Sequence, residues 1–201
     1  MAAIQKKSGY LRGIKGAILI PLSPDGSMPA TPERHPIKTT QTAGIELEVI
    51  EGESSELRGG DMLLARVEEE DYVVGANITL TDARFDAKAA VIIGGGQLIT
   101  QSDGQGGEEI IGYVAPTIEE QARGRTPFAL EIYVANYNKS GGRDGWLKYT
   151  FPYCVGRAPN IEHQDREWGT PEFEIKAREN PATGESVYSK EFVDTLPAEL
   201  Q

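Results

Sequence analysis

Phe128-Ala129-Leu130-Glu131-Ile132-Tyr133-Val134-Ala135 sets an apolar side chain at every second position, against a facing set that contains Glu131 and Tyr133. A period of two is the signature of a β-strand with one face on a core. The same alternation recurs outward along the chain. Leu147, Tyr149, Phe151 and Tyr153 share one face, Phe173, Ile175 and Ala177 another, and Ile45, Leu47 and Val49 alternate with Glu46 and Glu48. Further strands are expected at 16–22, 62–68, 72–80, 109–115 and 187–193, about nine in all, with 62–80 forming a hairpin. The 23 glycines and 12 prolines, above the roughly 12% of average usage, punctuate these strands and leave little room for long helices.

One segment breaks the period. In Thr81-Asp82-Ala83-Arg84-Phe85-Asp86-Ala87-Lys88-Ala89-Ala90-Val91-Ile92-Ile93-Gly94, Thr81 can act as N-cap and Leu80 and Phe85 sit at staple positions. Phe85, Ala89 and Ile92 form an apolar stripe, and Gly94 can take the left-handed cap. This predicts a helix of about three turns over 82–93. A single turn after the capping box Thr117-x-x-Glu120 is also expected. Pro24, Pro29, Pro32 and Pro36 stiffen the loop 22–44 and should keep it out of strand pairing, while 97–107 reads as a Gly-rich polar loop and 160–169 as a charged one. At 201 residues the chain can bury a sizeable core, so disorder throughout is excluded.

Charge narrows the function. The net charge is −11, yet residues 1–40 carry Lys6, Lys7, Arg12, Lys15, Arg34 and Lys38 against Asp25 and Glu33, leaving −15 on the remainder. An acidic body argues against proteins that read or wrap DNA, which need a basic footprint. The basic start, residues 1–15, reads either as a solvated tail or as an arm that docks on the acidic body of a neighbouring copy. No apolar run is long enough to cross a membrane and no apolar leader core follows the first lysines, so neither a membrane span nor a secretory signal is expected, and a reducing compartment fits. The single Cys154 and two histidines offer neither a disulfide nor a metal cage.

Catalytic motifs are not evident. Gly94-Gly95-Gly96 lacks the Lys-Ser/Thr of a phosphate loop and ends a helix instead of opening one. His163 and Asp165 fall in a polar loop, His35 sits beside Pro36 in the expected exposed loop, and Cys154 closes an apolar strand as a small hydrophobe. No catalytic, cofactor-binding or metal-ligating residue is assigned, no cofactor is expected, and an enzyme is disfavoured.

The order of these pieces resembles the major tail tube proteins of long-tailed bacteriophages. Leu11-Arg12-Gly13-Ile14-Lys15-Gly16-Ala17, the hairpin and helix from Gly60 to Gly96, and the closing run from Leu147 to Cys154 and Pro171 to Ile175 carry the resemblance, which spans about residues 10–195. It implies a mainly β fold, a β-sandwich or barrel with one flanking helix and long inter-subunit arm and loops. The basic arm (1–15) would precede a single β domain (16–195) and a short tail (196–201). Six copies would close into rings that stack into a hollow conduit for DNA, in a virion tail assembled in the host bacterial cytoplasm. The implied partners are other copies of the chain and tape-measure, tail-terminator and baseplate or tail-tip proteins. DNA would pass without specific binding, and no membrane is involved. Related tubes serve contractile tails, phage-like bacteriocins and type VI secretion, so the resemblance leaves the machine open.

Four strands from each of six copies, tilted about 40°, would close a barrel roughly 48 Å across, wide enough for a duplex. An acidic wall would let DNA slide where a basic one would hold it. Glu46, Glu48, Glu68 and Glu131 are the candidate wall acids. Lys6, Lys7, Arg12, Lys15, Arg34 and Lys38 are the candidate contacts between rings, through the arm and the Pro-rich loop. The alternative reading is a β-sandwich adhesin or receptor-binding module, with recognition in loops 97–107 and 139–145.

Overall fold

The computed structural model describes residues 9–102, 104 and 106–201. Their strands are β1 (Tyr10–Pro21), β2 (His35–Ile37), β3 (Thr40–Ile50), β4 (Ser54–Gly59), β5 (Met62–Glu68), β6 (Tyr72–Asp82), β7 (Gln97–Ser102), β8 (Glu108–Val114), β9 (Phe128–Tyr137), β10 (Arg143–Gly156), β11 (Glu172–Ala177) and β12 (Ser189–Val193). Helix α1 (Ala87–Gly94) lies between β6 and β7, α2 (Ile118–Ala122) follows β8, and a 3-10 turn occupies Ala198–Leu200.

One antiparallel sheet runs in the order β2-β1-β9-β10-β11-β6-β3. Its centre is β10, whose two halves have different neighbours. Residues 146–150 pair with β12 and 154–156 with β11, both on the edge away from β9. The ladder to β9 shifts register between Phe151 and Cys154, around Pro152. A proline has no N–H to give a ladder and tends to sit at bulges. The split at this point lets the β11-β6-β3 wing turn over the β1-β9 wing. Because β2 and β3 end the sheet without pairing to each other, the fold is sandwich-like and no closed barrel forms.

Side chains from both wings meet in the main core. Leu19, Leu130, Ile132 and Phe151 face Ile78, Leu80, Phe173 and Ile175, and Ala89, Ala90 and Ile93 of α1 close one end. A second cluster lies on the other side of β1 and β9, where Ile18, Ile20, Leu22, Ala129 and Tyr133 are covered by Leu200. With both faces covered, β1 is buried continuously from Ala17 to Ile20, as a strand inside a layered fold requires. Each fully buried large side chain contributes about 1.5–3 kcal/mol.

Several expectations change. β6 does not end at Leu80, because Thr81 and Asp82 still pair with Glu172 and Thr40. Thr81 is therefore not a cap. Asp86 is the N-cap of α1, accepting hydrogen bonds from the Lys88 and Ala89 amides, and α1 is correspondingly shorter. Gly94 stays within it, and Gly95 takes the positive φ of 79°. A Cβ at Gly94 would come within 2.6 Å of the Ala158 nitrogen, so glycine lets α1 lie flat against the chain leaving β10. The capping box at Thr117 and Glu120 forms.

The expected 62–80 hairpin does not exist: β5 pairs with β4, whereas β6 pairs with β3 and β11. Residues 40–82 form one long hairpin instead, β3 with β6 at its base and β4 with β5 at its tip, turning at Gly60 (φ 63°). The Pro-rich loop is interrupted by β2, which pairs with β1 despite Pro36. As an end strand it has a single neighbour, so the missing N–H is tolerated. Residues 97–102 are a strand paired with β8, not a loop. Arg12 and Lys15, expected in an arm, stand in β1 beside β9, with a bulge at Gly13.

Core and hairpin tip should respond differently to truncation. Phe151→Ala is expected to lower unfolding free energy by about 3–5 kcal/mol in urea titration of the dilute protein. Leu64→Ala in the β4–β5 ribbon should change it by less than about 0.5 kcal/mol, as for an exposed site.

Candidate assembly surface

Among the four candidate wall acids the structure brings two together. Glu46 and Glu48 lie on the outer face of β3, opposite Asn77 and Gly75 of β6. One rung of this face runs Val155, Lys176, Asn77, Glu46 across β10, β11, β6 and β3. The face is concave, enclosing about 580 Å³, and carries Arg125, Arg157 and Arg178 beside Glu172 and Glu174. Arg157 pairs with Glu174 at 3.3 Å. The surface is therefore of mixed charge, with acids on both β3 and β11. Glu68 stands elsewhere, on the ribbon, paired with Arg66 at 3.0 Å.

Glu131 is taken up inside the chain. Its carboxylate accepts from Arg34 Nη2 at 2.6 Å and from the Tyr133 hydroxyl at 2.9 Å, while Arg34 Nε reaches Glu199 at 2.9 Å. Burial, together with the Glu131 charge, pushes the Tyr133 hydroxyl pKa up. This network ties the Pro-rich loop and the C-terminal turn onto β9, so Arg34 and Glu131 hold the chain together instead of facing a bore. Lys6 and Lys7 lie outside the described residues. Lys38 is exposed after β2 and shares a hollow with Arg84. Among the described residues the candidate cations Arg12, Lys15, Arg34 and Lys38 do not form one patch.

His35, expected to be exposed, is half-buried, with Nε2 2.9 Å from Asp86 Oδ2. Glu33 pairs with Lys88 beside it. Asp86 thus links β2 to the start of α1. The His35 hydrogen bond, opposed by burial and helped by the Ala89 amide, holds its carboxyl at about 2. Burial also pushes the Cys154 thiol up, so it is a poor nucleophile. Among the described residues no three His, Cys, Asp or Glu side chains converge into a metal site, and no helix is long and apolar enough to cross a membrane.

What sequence reasoning missed is the apolar surface left in water. Along β3 the face that starts in the core at Ala43 continues through Ile45, Leu47 and Val49, all exposed. Beyond it, the ribbon exposes Leu57, Met62 (69%), Leu63, Leu64 (60%) and Val67. The β7–β8 hairpin exposes Ile99, Ile110, Ile111 and Val114. Among the described residues the outer edge of β3 has no neighbouring strand. An open strand edge beside contiguous apolar surface marks a place where another chain binds. The signal lay in Met62-Leu63-Leu64, three apolar residues running against the alternation.

No family model matches the chain, and no curated protein does. Among solved structures it is similar to a chain of the anti-feeding prophage cap (AFP tube terminating cap), with TM-score 0.39 and 10% identity over 96% of each chain. It is likewise similar to a chain of the 6-fold symmetrised anti-feeding prophage baseplate, with TM-score 0.36 and 10% identity over 95% of this chain and 98% of that one. At these scores the likeness is too slight to establish fold or function.

The Asp86 clasp has a pH signature. A carboxyl whose pKa is lowered by folding stabilises the protein above its ordinary pKa, and that stability is lost as pH falls through the folded value. Asp86→Asn keeps a capping side chain and removes the charge. It should cost about 1–2 kcal/mol at pH 6, and the difference should shrink between about pH 4 and pH 2, read by thermal unfolding across that range.

Proposed function

We propose that this chain is a structural subunit that assembles with copies of itself into rings and a stacked tube, the conduit of a phage tail or tail-like particle. The observation that carries the reading is the apolar stripe of β3, which leaves the core at Ala43 and reaches Val49 beside an unpaired strand edge. A face built like a core but left wet is stabilised by a second copy, and a rotation that closes on itself gives a ring. The wing β10-β11-β6-β3 offers four strands, the number that six copies would need for a bore of roughly 48 Å. In that arrangement Glu46 and Glu48 face the bore together with Arg157, Lys176 and Arg178 of the same concave face, and these acids offset basic groups that would otherwise hold a passing duplex. Tape-measure, terminator and baseplate proteins would meet the ends of such a tube, and assembly would take place in the host cytoplasm before the tail is complete.

Negative-stain electron microscopy and sedimentation across a concentration series test this. Rings or tubes are expected, and Leu47→Lys should raise the concentration at which they form about tenfold or more, the equivalent of 1.4 kcal/mol per contact. Dilute Leu47→Lys protein should unfold at the wild-type temperature. A chain that stays monomeric at millimolar concentration would exclude the reading.

A further inference from the structure

The two ends of β6 carry surfaces of opposite character. Before Tyr72, the ribbon projects with Leu57, Met62, Leu63, Leu64 and Val67 exposed. The stretch 51–71 holds eight acids and two arginines, and both arginines are neutralised locally, Arg58 by Glu56 and Arg66 by Glu68. After Asp82, the chain enters a groove of about 360 Å³ between the start of α1 and β8, with Phe85, Ile110 and Ile111 as its apolar lining and Arg84 and Lys88 at its rim. Lys88 is neutralised by Glu33, which leaves Arg84 as the rim's unpaired charge. Its one acid, Asp86, is occupied by His35 and by the α1 amides. Among the described residues Arg84 has no ion-pair partner. The hollow next to it adds Lys38 and the buried Asp82; Glu108 and Glu109 lie beyond Ile110, toward the start of β8.

An acidic apolar ribbon and an apolar groove with the unpaired Arg84 at its rim are complementary, but one chain cannot join its own. Eleven residues of β6 at about 3.3 Å each hold the two surfaces roughly 33 Å apart, at opposite ends of a paired strand. A two-stranded ribbon on its own is marginal in water, so its apolar face calls for a partner. We propose that the β4–β5 ribbon of one copy seats in the Phe85–Ile110–Ile111 groove of the next, so that copies join head to tail along the direction of β6. Such a contact uses two different patches and repeats without closing, which is the geometry of a filament. The β3 edge is left to close the ring. The inference rests on the self-assembly reading and deepens it by naming the two surfaces that meet between layers.

Engineered cysteines test the pairing, since Cys154 is fully buried and adds no reactive thiol. Met62→Cys and Ile111→Cys single variants are mixed at an assembling concentration and oxidised briefly. Trp168→Cys, at a loop position 96% exposed, is the comparison partner for Met62→Cys. A linked dimer is expected from the first mixture well above the second, and a ladder of linked oligomers from the Met62→Cys/Ile111→Cys double variant. Adding Arg84→Glu should cut the yield about fivefold by setting like charges together. If sedimentation shows assembly while Met62→Cys links no better to Ile111→Cys than to Trp168→Cys, or links chiefly to itself, the ribbon-in-groove contact is wrong and self-assembly stands. If nothing assembles at any concentration, the self-assembly reading falls and this inference with it.

Discussion

The hydrophobic core occupies only one end of the longest hairpin in the molecule. β6 is buried from Gly75 to Asp82, where β11, β3 and the opposing wing surround it, apart from its outward-facing side chains. Toward Tyr72 it has only β3 beside it among the described residues, and Tyr72 and Val73 are exposed. The remaining length of β3 and β6, and all of β4 and β5, extend past the core with apolar side chains in water. A second chain would complete that burial, and the proposed assembly depends on this inequality between strand length and core size.

The sheet explains how the extension is held. β9 and β1 are covered on both faces, and the Arg34–Glu131–Glu199 network fastens the C-terminal turn over the outer one. At β10, Pro152 and its bulge release the second wing, which carries the long hairpin away from that rigid half. The Asp86–His35 contact anchors the far end of β6 to β2. The hairpin therefore leaves a well-tied base, and its orientation is set by the sheet.

Alternation reports burial directly, so β9, β11, the body of β6 and β10 as far as Phe151 lie where the period puts them, although β9 is covered on both faces. Past the bulge at Pro152, Tyr153 leaves the face expected for it with Leu147, Tyr149 and Phe151 and packs on the second cluster, while Cys154 joins Phe151 in the main core. The misreadings share a cause. Thr81 and Asp82 favour a helix start locally, but ladder pairing with β11 and β3 overrides that preference and passes the cap to Asp86. Pro36 argues against pairing except at a sheet end, and position in a sheet is not written in the local sequence. The Gly59-Gly60 turn was visible, yet which strand follows it home is a long-range choice that periodicity cannot make. Glu131 looked like any solvent-facing acid because Arg34, its ion-pair partner, lies 97 residues away and Tyr133, its other partner, stands on its own face of the strand. Only Glu46 and Glu48 share the expected surface, since they lie on one face of one strand.

Amide hydrogen exchange on the β4–β5 ribbon, followed as protein concentration rises, tests the central claim most directly. The account predicts rapid exchange across residues 53–68 in dilute protein, and strong protection of the same amides once assemblies appear, with the β1 and β9 amides protected throughout. Ribbon amides already protected in the dilute monomer, or still unprotected in a concentrated assembly, would contradict it.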